Sequence, residues 1–279
     1  MLFQTHSAPS TPESQTSPPP QSKVVDRYVT TAPSWQNSID IFKNEWSSKF
    51  PAPFSHLEAG TAILFQDARV DWAVARFGGV AGGSILELGP LEGGHTYMLE
   101  RAGFGSVTSI EANTHAFLRC LIAKEILGMS RTTRFLCGDF VAYLRNQPPK
   151  FDAVFACGVL YHMTDPAELI SLIAAVTDEA FFWTHYYDPR VLAGDSRFSG
   201  PVPASHLGFS YSAFRQQYGS ALGWGGFCGG SRPHSYWMTH DDILACLRHF
   251  GFSEIETGFE HRDHPNGPSF ALLAKKARQ

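Results

Sequence analysis

The chain has 279 residues, 43% of them hydrophobic and 17% charged, and a formal net charge of −4 at pH 7. This length is sufficient for one large α/β domain with an additional segment, and the acidic balance excludes a general electrostatic attraction to nucleic acid or to an anionic membrane. The sequence has no secretory signal, no stretch of about 18 apolar residues and no CxxC pair among its five cysteines, so we expect a cytoplasmic protein with reduced thiols and no membrane partner.

The N-terminal part divides by composition into a tail and a cap. Residues 1–23 consist mostly of Ser, Thr, Pro and Gln, which bury little apolar surface and predict a disordered tail. Residues 24–80 carry aromatic side chains at intervals, among them Trp35 and Trp46. We expect them to form a helical cap over the main domain, which spans residues 81–279.

From Ser84 onwards, short apolar runs alternate with segments of helical periodicity. The apolar runs predict five strands, at Ser84–Leu88, Val107–Glu111, Thr133–Cys137, Asp152–Cys157 and Ala180–Thr184. The segments between them predict four helices, at His95–Ala102, Thr114–Leu127, Phe140–Arg145 and Pro166–Val176. Strands that alternate with helices form a parallel, doubly wound, Rossmann-like α/β sheet.

The end of the chain predicts a different connection between strands. Thr239 and Asp242 form a capping-box-like pattern at the start of a helix over Asp241–His249. Two strands follow, at Ser253–Thr257 and Ser269–Lys275, with only a loop between them. Because neighbouring strands without a crossover helix run antiparallel, we predict a mostly parallel seven-stranded sheet with a C-terminal antiparallel hairpin.

Residues 186–238 lie between these two parts and are rich in glycine and aromatic residues. They follow the carboxyl end of the fifth strand, on the side where ligands bind in open α/β sheets. An insertion of this length is more often functional than passive. We therefore expect it to form an aromatic lid over a ligand site.

The first strand leads into a glycine-rich turn at residues 89–94, a feature typical of nucleotide sites. Gly89 and Gly93 permit close approach of the backbone to a ligand. Glu87 places a carboxylate at the strand end, which disfavours a pyrophosphate and favours a cationic ligand such as S-adenosylmethionine. The turn also lacks the GxGxxG spacing of a nicotinamide dinucleotide site, which makes an oxidoreductase the weaker interpretation.

Three further strand ends carry residues suited to the same ligand. Glu111 follows the glycine turn by about 20 residues, where an acidic side chain can bind both hydroxyls of a ribose. Asp139, beside Phe140, can accept a hydrogen bond from an adenine amino group, and Cys157 and Gly158 end the fourth strand beside the expected reactive centre. Each carboxylate has a structural alternative, because an acid at a strand end also caps the following helix.

Residues 84–184 resemble the class I S-adenosylmethionine-dependent methyltransferases. The resemblance is carried by the sequences ILELGPLEGG at 85–94, SIEAN at 109–113, CGDF at 137–140 and FDAVFACGVLYHMTDP at 151–166. One difference is Leu91, where the family commonly has a second glycine.

The resemblance implies roles for the matching positions, with S-adenosylmethionine as the cofactor. In the family the turn surrounds the methionine portion, the acid after the second strand binds the ribose, the third strand end forms the adenine pocket, and the fourth lies near the sulfonium. The positions expected to bind the cofactor are Glu87, Gly89, Pro90, Gly93, Glu111, Ala112, Asp139, Phe140, Cys157 and Gly158.

A narrower, local similarity is to the enzyme that modifies the wobble uridine of tRNA with a carboxylated form of the cofactor. It rests on residues 69–72 and 158–162. Basic residues follow the Tyr-His pair in that enzyme, whereas Met163 and Thr164 follow it here, in a chain that is acidic overall. We therefore expect no nucleic acid partner, and an RNA-modifying transferase is the alternative.

Transfer to a hydroxyl requires removal of a proton, which histidine can accept near neutral pH. His162 and His185 follow the fourth and fifth predicted strands and are the candidate catalytic residues, with Tyr161 as an alternative acid–base group or a positioning hydroxyl. The histidine and cysteine spacings are not those of zinc sites, so we expect no metal. The sequence thus predicts methyl transfer to an oxygen or nitrogen of a small molecule. It leaves open a non-catalytic nucleotide-binding module and does not indicate an oligomeric state.

Overall fold

The computed structural model describes residues 28–277, so the predicted tail at 1–23 lies outside the described residues. Strands and helices alternate through the middle of this range, as the sequence predicts. The strands found there are β1 Ser84–Leu88, β2 Ser106–Glu111, β3 Thr133–Cys137, β4 Ala153–Cys157, β5 Glu179–His185, β6 Phe198–His206, β7 Phe209–Gln217, β8 His234–Trp237, β9 Phe252–His261 and β10 Ser269–Lys276. The helices are α1 Trp35–Asp40, α2 Ala68–Val74, α3 Gly94–Arg101, α4 Thr114–Leu127, α5 Phe140–Arg145, α6 Pro166–Val176, α7 Pro189–Leu192 and α8 His240–His249.

The central feature is a seven-stranded sheet with the strand order β3-β2-β1-β4-β5-β10-β9. Strands β1 to β5 are parallel, whereas β10 runs antiparallel to both β5 and β9. The predicted α/β fold class, with its mostly parallel seven-stranded sheet and C-terminal antiparallel hairpin, is confirmed. The strand order reverses its direction at β1 and β4, which is where ligands bind in doubly wound sheets.

The side chains of β1 alternate between the two apolar layers that cover the opposite faces of the sheet. Leu86 and Leu88 belong to the apolar cluster that includes α6 and α8, whereas Ile85 belongs to the cluster on the side of α2 and α3. Because side chains of a strand alternate between faces, Glu87 lies on the same side as Ile85, below α3. This placement decides what the Glu87 carboxylate can reach.

The insertion at 186–238 contains regular structure that the sequence did not predict. Strands β6, β7 and β8 form a separate three-stranded antiparallel sheet. Tyr211 and Ala213 of β7 alternate with exposed residues and are buried in the main core cluster beside Met238. One face of the small sheet therefore packs on the main domain, so the insertion is more than a flexible cover.

The N-terminal cap contains two short helices, α1 and α2, connected by largely irregular chain. Ile39, Phe50 and Phe65 of this part pack against Ala123 and Ile126 of α4. Cores of this kind anchor irregular segments because each buried apolar side chain contributes about 1.5–3 kcal/mol.

One buried carboxylate joins the cap to the glycine turn. Glu92, 1% exposed, accepts hydrogen bonds from the backbone N–H groups of Ser47 and Ser48, each at 2.8 Å. The Arg119 side chain, itself 3% exposed, lies 3.5 Å away. The turn and the cap are thus held in a fixed position relative to each other.

None of the helices between residues 28 and 277 has the length and apolarity needed to cross a membrane.

Candidate active site

A cavity of about 800 Å³ lies at the carboxyl ends of the parallel strands. Its walls come from the turn after β1, the ends of β2 to β5, the N-terminal cap and the insertion. Of the thirteen residues that the sequence predicts to bind a cofactor or act in catalysis, ten line this cavity: Gly89, Pro90, Glu111, Ala112, Asp139, Phe140, Cys157, Gly158, Tyr161 and His162. The sequence pattern thus brings most of its candidates together.

The glycine turn forms one wall through left-handed backbone. Gly89 has a φ of +66°, and a Cβ added there would lie 2.8 Å from Cγ1 of Val159. Leu91 has a φ of +58°, so this leucine adopts the conformation that glycine favours. The leucine therefore does not prevent the turn from opening towards the cavity.

Glu111 at the end of β2 is 9% exposed and holds the turn by hydrogen bonds. Its Oε2 accepts from the Leu91 N–H at 3.1 Å and its Oε1 from the Asn113 N–H at 2.8 Å. Burial raises the pKa of the Glu111 carboxyl, and these backbone donors oppose that effect. Because each carboxylate oxygen has two acceptor sites, Glu111 can also accept from two ligand hydroxyls.

Glu87 does not line the cavity. It is 1% exposed and lies below α3, where its Oε2 accepts hydrogen bonds from the hydroxyls of Thr96 and, at 2.7 Å, Ser109. Its Oε1 has no partner among the described residues, and burial raises the pKa of the carboxyl. The sequence placed Glu87 at the ligand, whereas strand alternation turns it into the layer behind the turn.

Gly93 also differs in position from the expectation. It precedes α3 with a φ of +78°, and a Cβ added there would lie 3.0 Å from Cζ of Phe135, away from the cavity. The next residue, Gly94, lines the cavity instead, and its own added Cβ would lie 2.6 Å from the Leu64 carbonyl oxygen. The two glycines thus allow close packing around the turn.

At the end of β3, Asp139 both caps a helix and lines the cavity. Asp139 caps α5, because its Oδ1 accepts from the Val141 N–H at 2.7 Å and from the Ala142 N–H at 3.4 Å. Asp139 and the 9% exposed Phe140 also line the cavity. Asp139 therefore caps the helix, which was the structural alternative for this carboxylate, and its Oδ2 is available to a ligand.

The fourth strand end turns sharply and presents the candidate catalytic groups. Gly158, with a φ of +82°, follows Cys157, whose thiol pKa burial raises to about 12. A short 3-10 helix over Leu160–His162 then carries Tyr161 and His162 to the cavity wall. Burial raises the pKa of Tyr161 well above its usual range, so its hydroxyl keeps its proton.

His162 is held by a residue of the insertion. Its Nδ1 lies 2.8 Å from the Tyr218 hydroxyl oxygen. Burial, with the nearby His185, lowers the pKa of His162 to about 3, so the ring is neutral at physiological pH. A neutral imidazole keeps one nitrogen lone pair, which can accept a proton.

His185 lies behind the wall rather than on it. It is 3% exposed, its Nδ1 donates to the Gly267 carbonyl at 2.8 Å, and its ring stacks on Trp237 at a centroid distance of 5.3 Å. The Tyr161 ring, 4.6 Å away, lines the cavity, whereas His185 does not. Burial lowers the pKa of His185 to about 4, so it supports the wall as a neutral ring.

Arg69, which was not predicted to be a site residue, lines the cavity from the start of α2. Its Nε and Nη2 bind the carboxylate of Asp67, which also accepts from His95 Nε2 at 3.0 Å. The guanidinium lies 4.5 Å from the centroid of the Trp183 ring. These basic neighbours hold the pKa of Asp67 well below its usual range. Arg69 was difficult to predict from the sequence, because His95 and Trp183 come close to Asp67 and Arg69 only in the folded chain.

The segment 227–232 of the insertion, here called the roof, forms part of the cavity wall. The Phe227 carbonyl accepts a hydrogen bond from Asn113 Nδ2 at 3.1 Å, and the Phe227 ring packs on Tyr218 at 5.0 Å. The roof is therefore attached both to the chain after β2 and to Tyr218, which contacts His162.

Within residues 28–277, no group of three or more His, Cys, Asp or Glu side chains is arranged to hold a metal ion.

Comparison with known proteins identifies the central part of the chain. The family described as "Methyltransferase domain" matches residues 86–179, which include the carboxyl end of β1 and all of β2 to β4. Residues 86–179 form a methyltransferase domain. The predictions of a methyltransferase and of S-adenosylmethionine as its cofactor are confirmed at the level of this domain. The match is to the general domain, so it does not support the narrower similarity to the tRNA wobble-uridine enzyme.

Solved structures share the fold of this methyltransferase domain and its surroundings. The N-terminal domain of EvdMO1, solved in the presence of SAH and D-fucose, is 24% identical with a TM-score of 0.66, over 87% of this chain and 95% of that one. Magnesium protoporphyrin IX methyltransferase (ChlM) from Synechocystis PCC 6803, with bound SAH, is 18% identical with a TM-score of 0.51, over 76% and 81%. A methyltransferase from Mesorhizobium loti is 15% identical with a TM-score of 0.51, over 76% and 100%. No curated protein matched the chain by sequence.

The residues of the methyltransferase cavity fit S-adenosylmethionine chemically. The Glu111 carboxylate can bind ribose hydroxyls, and the Arg69 guanidinium can bind the methionine carboxylate. Gly89 and the Val159 side chain that packs beside it both line the cavity. The site thus provides complementary groups for the ribose hydroxyls and for the carboxylate of the cofactor.

Proposed function

We propose that this protein transfers the methyl group of S-adenosylmethionine to a hydroxyl oxygen of a small molecule. The observation that carries the proposal is the position of His162, a neutral imidazole on the wall of the cavity that also contains the glycine turn and Glu111. A nitrogen acceptor, which needs no strong base, is the alternative that the experiment below distinguishes.

The size and closure of the cavity favour a small acceptor. Its volume of about 800 Å³ falls within the range of about 300–1,000 Å³ typical of small-molecule sites. The roof covers it, and the chain carries a formal net charge of −4, which opposes binding to RNA. The EvdMO1 domain, solved in the presence of D-fucose, is consistent with a polar small molecule as acceptor.

When bound, S-adenosylmethionine supplies a methyl group that its sulfonium centre has already activated. We propose that Glu111 orients it by accepting bonds from the ribose hydroxyls, while Phe140 covers the adenine. Arg69, fixed by Asp67, binds the methionine carboxylate at the opposite end of the cavity. Positioning of this kind is the main contribution of the protein, because an in-line transfer depends on alignment of the reacting atoms.

His162 then accepts the proton of the acceptor hydroxyl through Nε2, since Nδ1 is occupied by Tyr218. Its low pKa reflects burial, and a buried site disfavours a new charge. The methyl transfer removes one positive charge from the cavity, so protonation of His162 leaves the net charge there unchanged. Tyr161, which keeps its proton, donates a hydrogen bond that positions the acceptor oxygen.

Binding and transfer can be tested separately. Calorimetry of the folded protein should detect binding of S-adenosylmethionine and S-adenosylhomocysteine, and the absence of binding to both would reject the proposal. Methyl-labelled cofactor should then label a compound in fractionated small-molecule extracts, and mass spectrometry identifies the atom methylated.

The variant His162→Gln distinguishes the acceptor types. It should lower transfer to a hydroxyl by about 10²–10⁴-fold, the usual contribution of a general base, with unchanged cofactor affinity. His56→Gln, at an exposed histidine, is the matched control. Unchanged transfer in His162→Gln would point to a nitrogen acceptor and reject the assigned base.

A further inference from the structure

We propose that the methyl acceptor carries an anionic group, a carboxylate or a phosphate, which the Arg232 guanidinium of the roof binds. The inference rests on the proposed function, because it concerns the molecule whose hydroxyl proton His162 accepts. Arg232 lines the cavity, and its side chain is exposed. The proposal narrows the class of acceptor from a small molecule of any charge to a small anion.

The starting observation is that Arg232 differs from the other two arginines of the cavity wall. Arg69 binds the Asp67 carboxylate through Nε and Nη2. Arg145 binds both carboxylate oxygens of Glu168, at 2.7 and 2.8 Å. Arg232 forms no ion pair with any residue between 28 and 277. Its guanidinium is therefore the one on this wall that has its donors available for the carboxylate or phosphate of a ligand.

A second guanidinium adds to the positive charge near Arg232. Nη2 of Arg215, on β7, lies 3.2 Å from Nδ1 of His234, on β8. A guanidinium only donates, so Nδ1 of His234 accepts and the imidazole is neutral. Desolvation, with the nearby Arg215 and Arg232, lowers the pKa of His234, in agreement with a neutral ring. Arg215 also has no ion-pair partner in the part of the chain that the structure describes. Two positive charges thus lie near one neutral ring, and an anion would relieve their repulsion.

The cofactor does not account for this positive charge. S-adenosylmethionine has one anionic group, its carboxylate, which the proposed function assigns to Arg69. An anion bound by Arg232 therefore belongs to the other reactant, the acceptor. Carboxylates and phosphates both accept two parallel hydrogen bonds from a guanidinium, so either group suits Arg232.

The position of Arg232 places such an anion within reach of the proposed base. The roof approaches His162 closely, because a Cβ added at Gly230 would lie 3.8 Å from the His162 carbonyl oxygen. Arg232 follows Gly230 by two residues, and all three residues line the cavity. Two residues of extended chain span at most about 7 Å. One small molecule can therefore place its hydroxyl at His162 and its anionic group at Arg232.

The charge of the labelled product tests the inference. Compounds that receive methyl label in a small-molecule extract are separated by anion exchange, and we expect the labelled product to be retained. Phosphatase treatment of that product distinguishes the two groups, because it abolishes retention of a phosphate ester and leaves a carboxylate retained. A labelled product that the column does not retain before this treatment would overturn the inference and leave the proposed function intact. Label in no compound would reject the proposed function instead.

Variants test whether Arg232 binds the anion. With the labelled acceptor, Arg232→Gln should raise KM about tenfold or more, the effect of losing a charged hydrogen bond, and Arg232→Lys should restore part of that loss. Both variants should bind S-adenosylhomocysteine as tightly as the wild type, which also shows that they are folded. Arg248→Gln is the matched control, because Arg248 is exposed, lies away from the cavity wall and forms no ion pair within residues 28–277. A KM that Arg232→Gln leaves unchanged would overturn the inference.

Discussion

At the scale of single residues, the cavity depends on backbone conformations that most side chains avoid. Gly89 and Leu91 both have positive φ, of +66° and +58°. For Leu91 the left-handed conformation costs about 1–2 kcal/mol, and the hydrogen bond from its N–H to the buried Glu111 offsets part of that cost. The turn is therefore held by the residue that we expect to bind the ribose.

Gly89→Ala should disrupt cofactor binding through contact as well as backbone strain. The added Cβ would lie 2.8 Å from Val159, so the turn or Val159 must move. Gly128→Ala is the matched control, because Gly128 has a φ of +64° but no atom within 4 Å of an added Cβ. Both variants should lose about 1–2 kcal/mol of stability through strain. Only Gly89→Ala should also bind S-adenosylhomocysteine at least about tenfold more weakly by calorimetry, equivalent to 1.4 kcal/mol. Equal affinities would place the ligand away from the turn.

Arg69→Gln should reduce the preference of the protein for ligands with a carboxylate. The wild type should bind S-adenosylhomocysteine more tightly than its decarboxylated analogue by about 1.5–3 kcal/mol, the contribution of a charged hydrogen bond. Arg69→Gln should remove most of that difference. Arg76→Gln is the matched control, since Arg76 lies 4.2 Å over Trp72 but is not on the cavity wall. A preference that survives in Arg69→Gln would assign Arg69 to the acceptor.

At the scale of elements, the insertion meets the main sheet at two defined points. One is the contact between Tyr218 and His162, and the other is the bond from Asn113 Nδ2 to the Phe227 carbonyl. Asn113 also caps α4, because its Oδ1 accepts from the N–H groups of His115 and Ala116. The Asn113 side chain therefore both caps α4 and attaches the roof to the chain after β2.

Asn113→Asp should separate these roles. Asp caps a helix about as well as Asn, so α4 should keep its stability. The carboxylate cannot donate to the Phe227 carbonyl, so the roof should open more often. Hydrogen exchange of residues 219–232 should become faster in the variant and slower again when S-adenosylhomocysteine is added, since a bound ligand stabilises the closed state. Exchange equal to that of the wild type would show that the roof is held elsewhere.

At the scale of the whole molecule, two buried histidines make the folded protein less stable as the pH falls. His162 and His185 have pKa values lowered from 6.5 to about 3 and about 4, so they stay neutral in the folded protein while the unfolded chain takes up protons. Below pH 6.5 the unfolded state therefore binds more protons, and stability falls as the pH falls. Glu87 and Glu111, whose pKa values burial raises, act in the opposite direction.

The comparison of the wild type with His162→Gln isolates one histidine from these opposing carboxyls. The free energy of unfolding of the wild type, relative to the variant, should decrease by about 1.4 kcal/mol for each pH unit below the ordinary histidine pKa. Urea unfolding followed by tryptophan fluorescence between pH 7 and pH 5 measures it. His56→Gln, at an exposed histidine, controls for the substitution itself. A difference independent of pH would mean that His162 is solvated in the folded protein.

The sheet and its strand ends could be predicted because apolar runs, capping residues and glycines act over short distances along the chain. The helices Thr114–Leu127 and Pro166–Val176 match the predicted bounds for this reason. Glu87 could not be placed correctly, because only the alternation of β1 against α3 turns it away from the cavity. The small sheet of the insertion escaped prediction because its packing depends on distant partners such as Met238.

The bonds from Ser47 and Ser48 to Glu92 have a consequence for synthesis and processing of the chain. During synthesis these serines leave the ribosome before the glycine turn, so the donors to Glu92 are already available when the turn forms. A protein that has lost its N-terminal part up to a cut between residues 49 and 60 would keep every strand of the large sheet. It would nevertheless leave the Glu92 carboxylate without its two backbone donors, next to the cavity. Ligand affinity would thus report whether the N-terminal segment is intact.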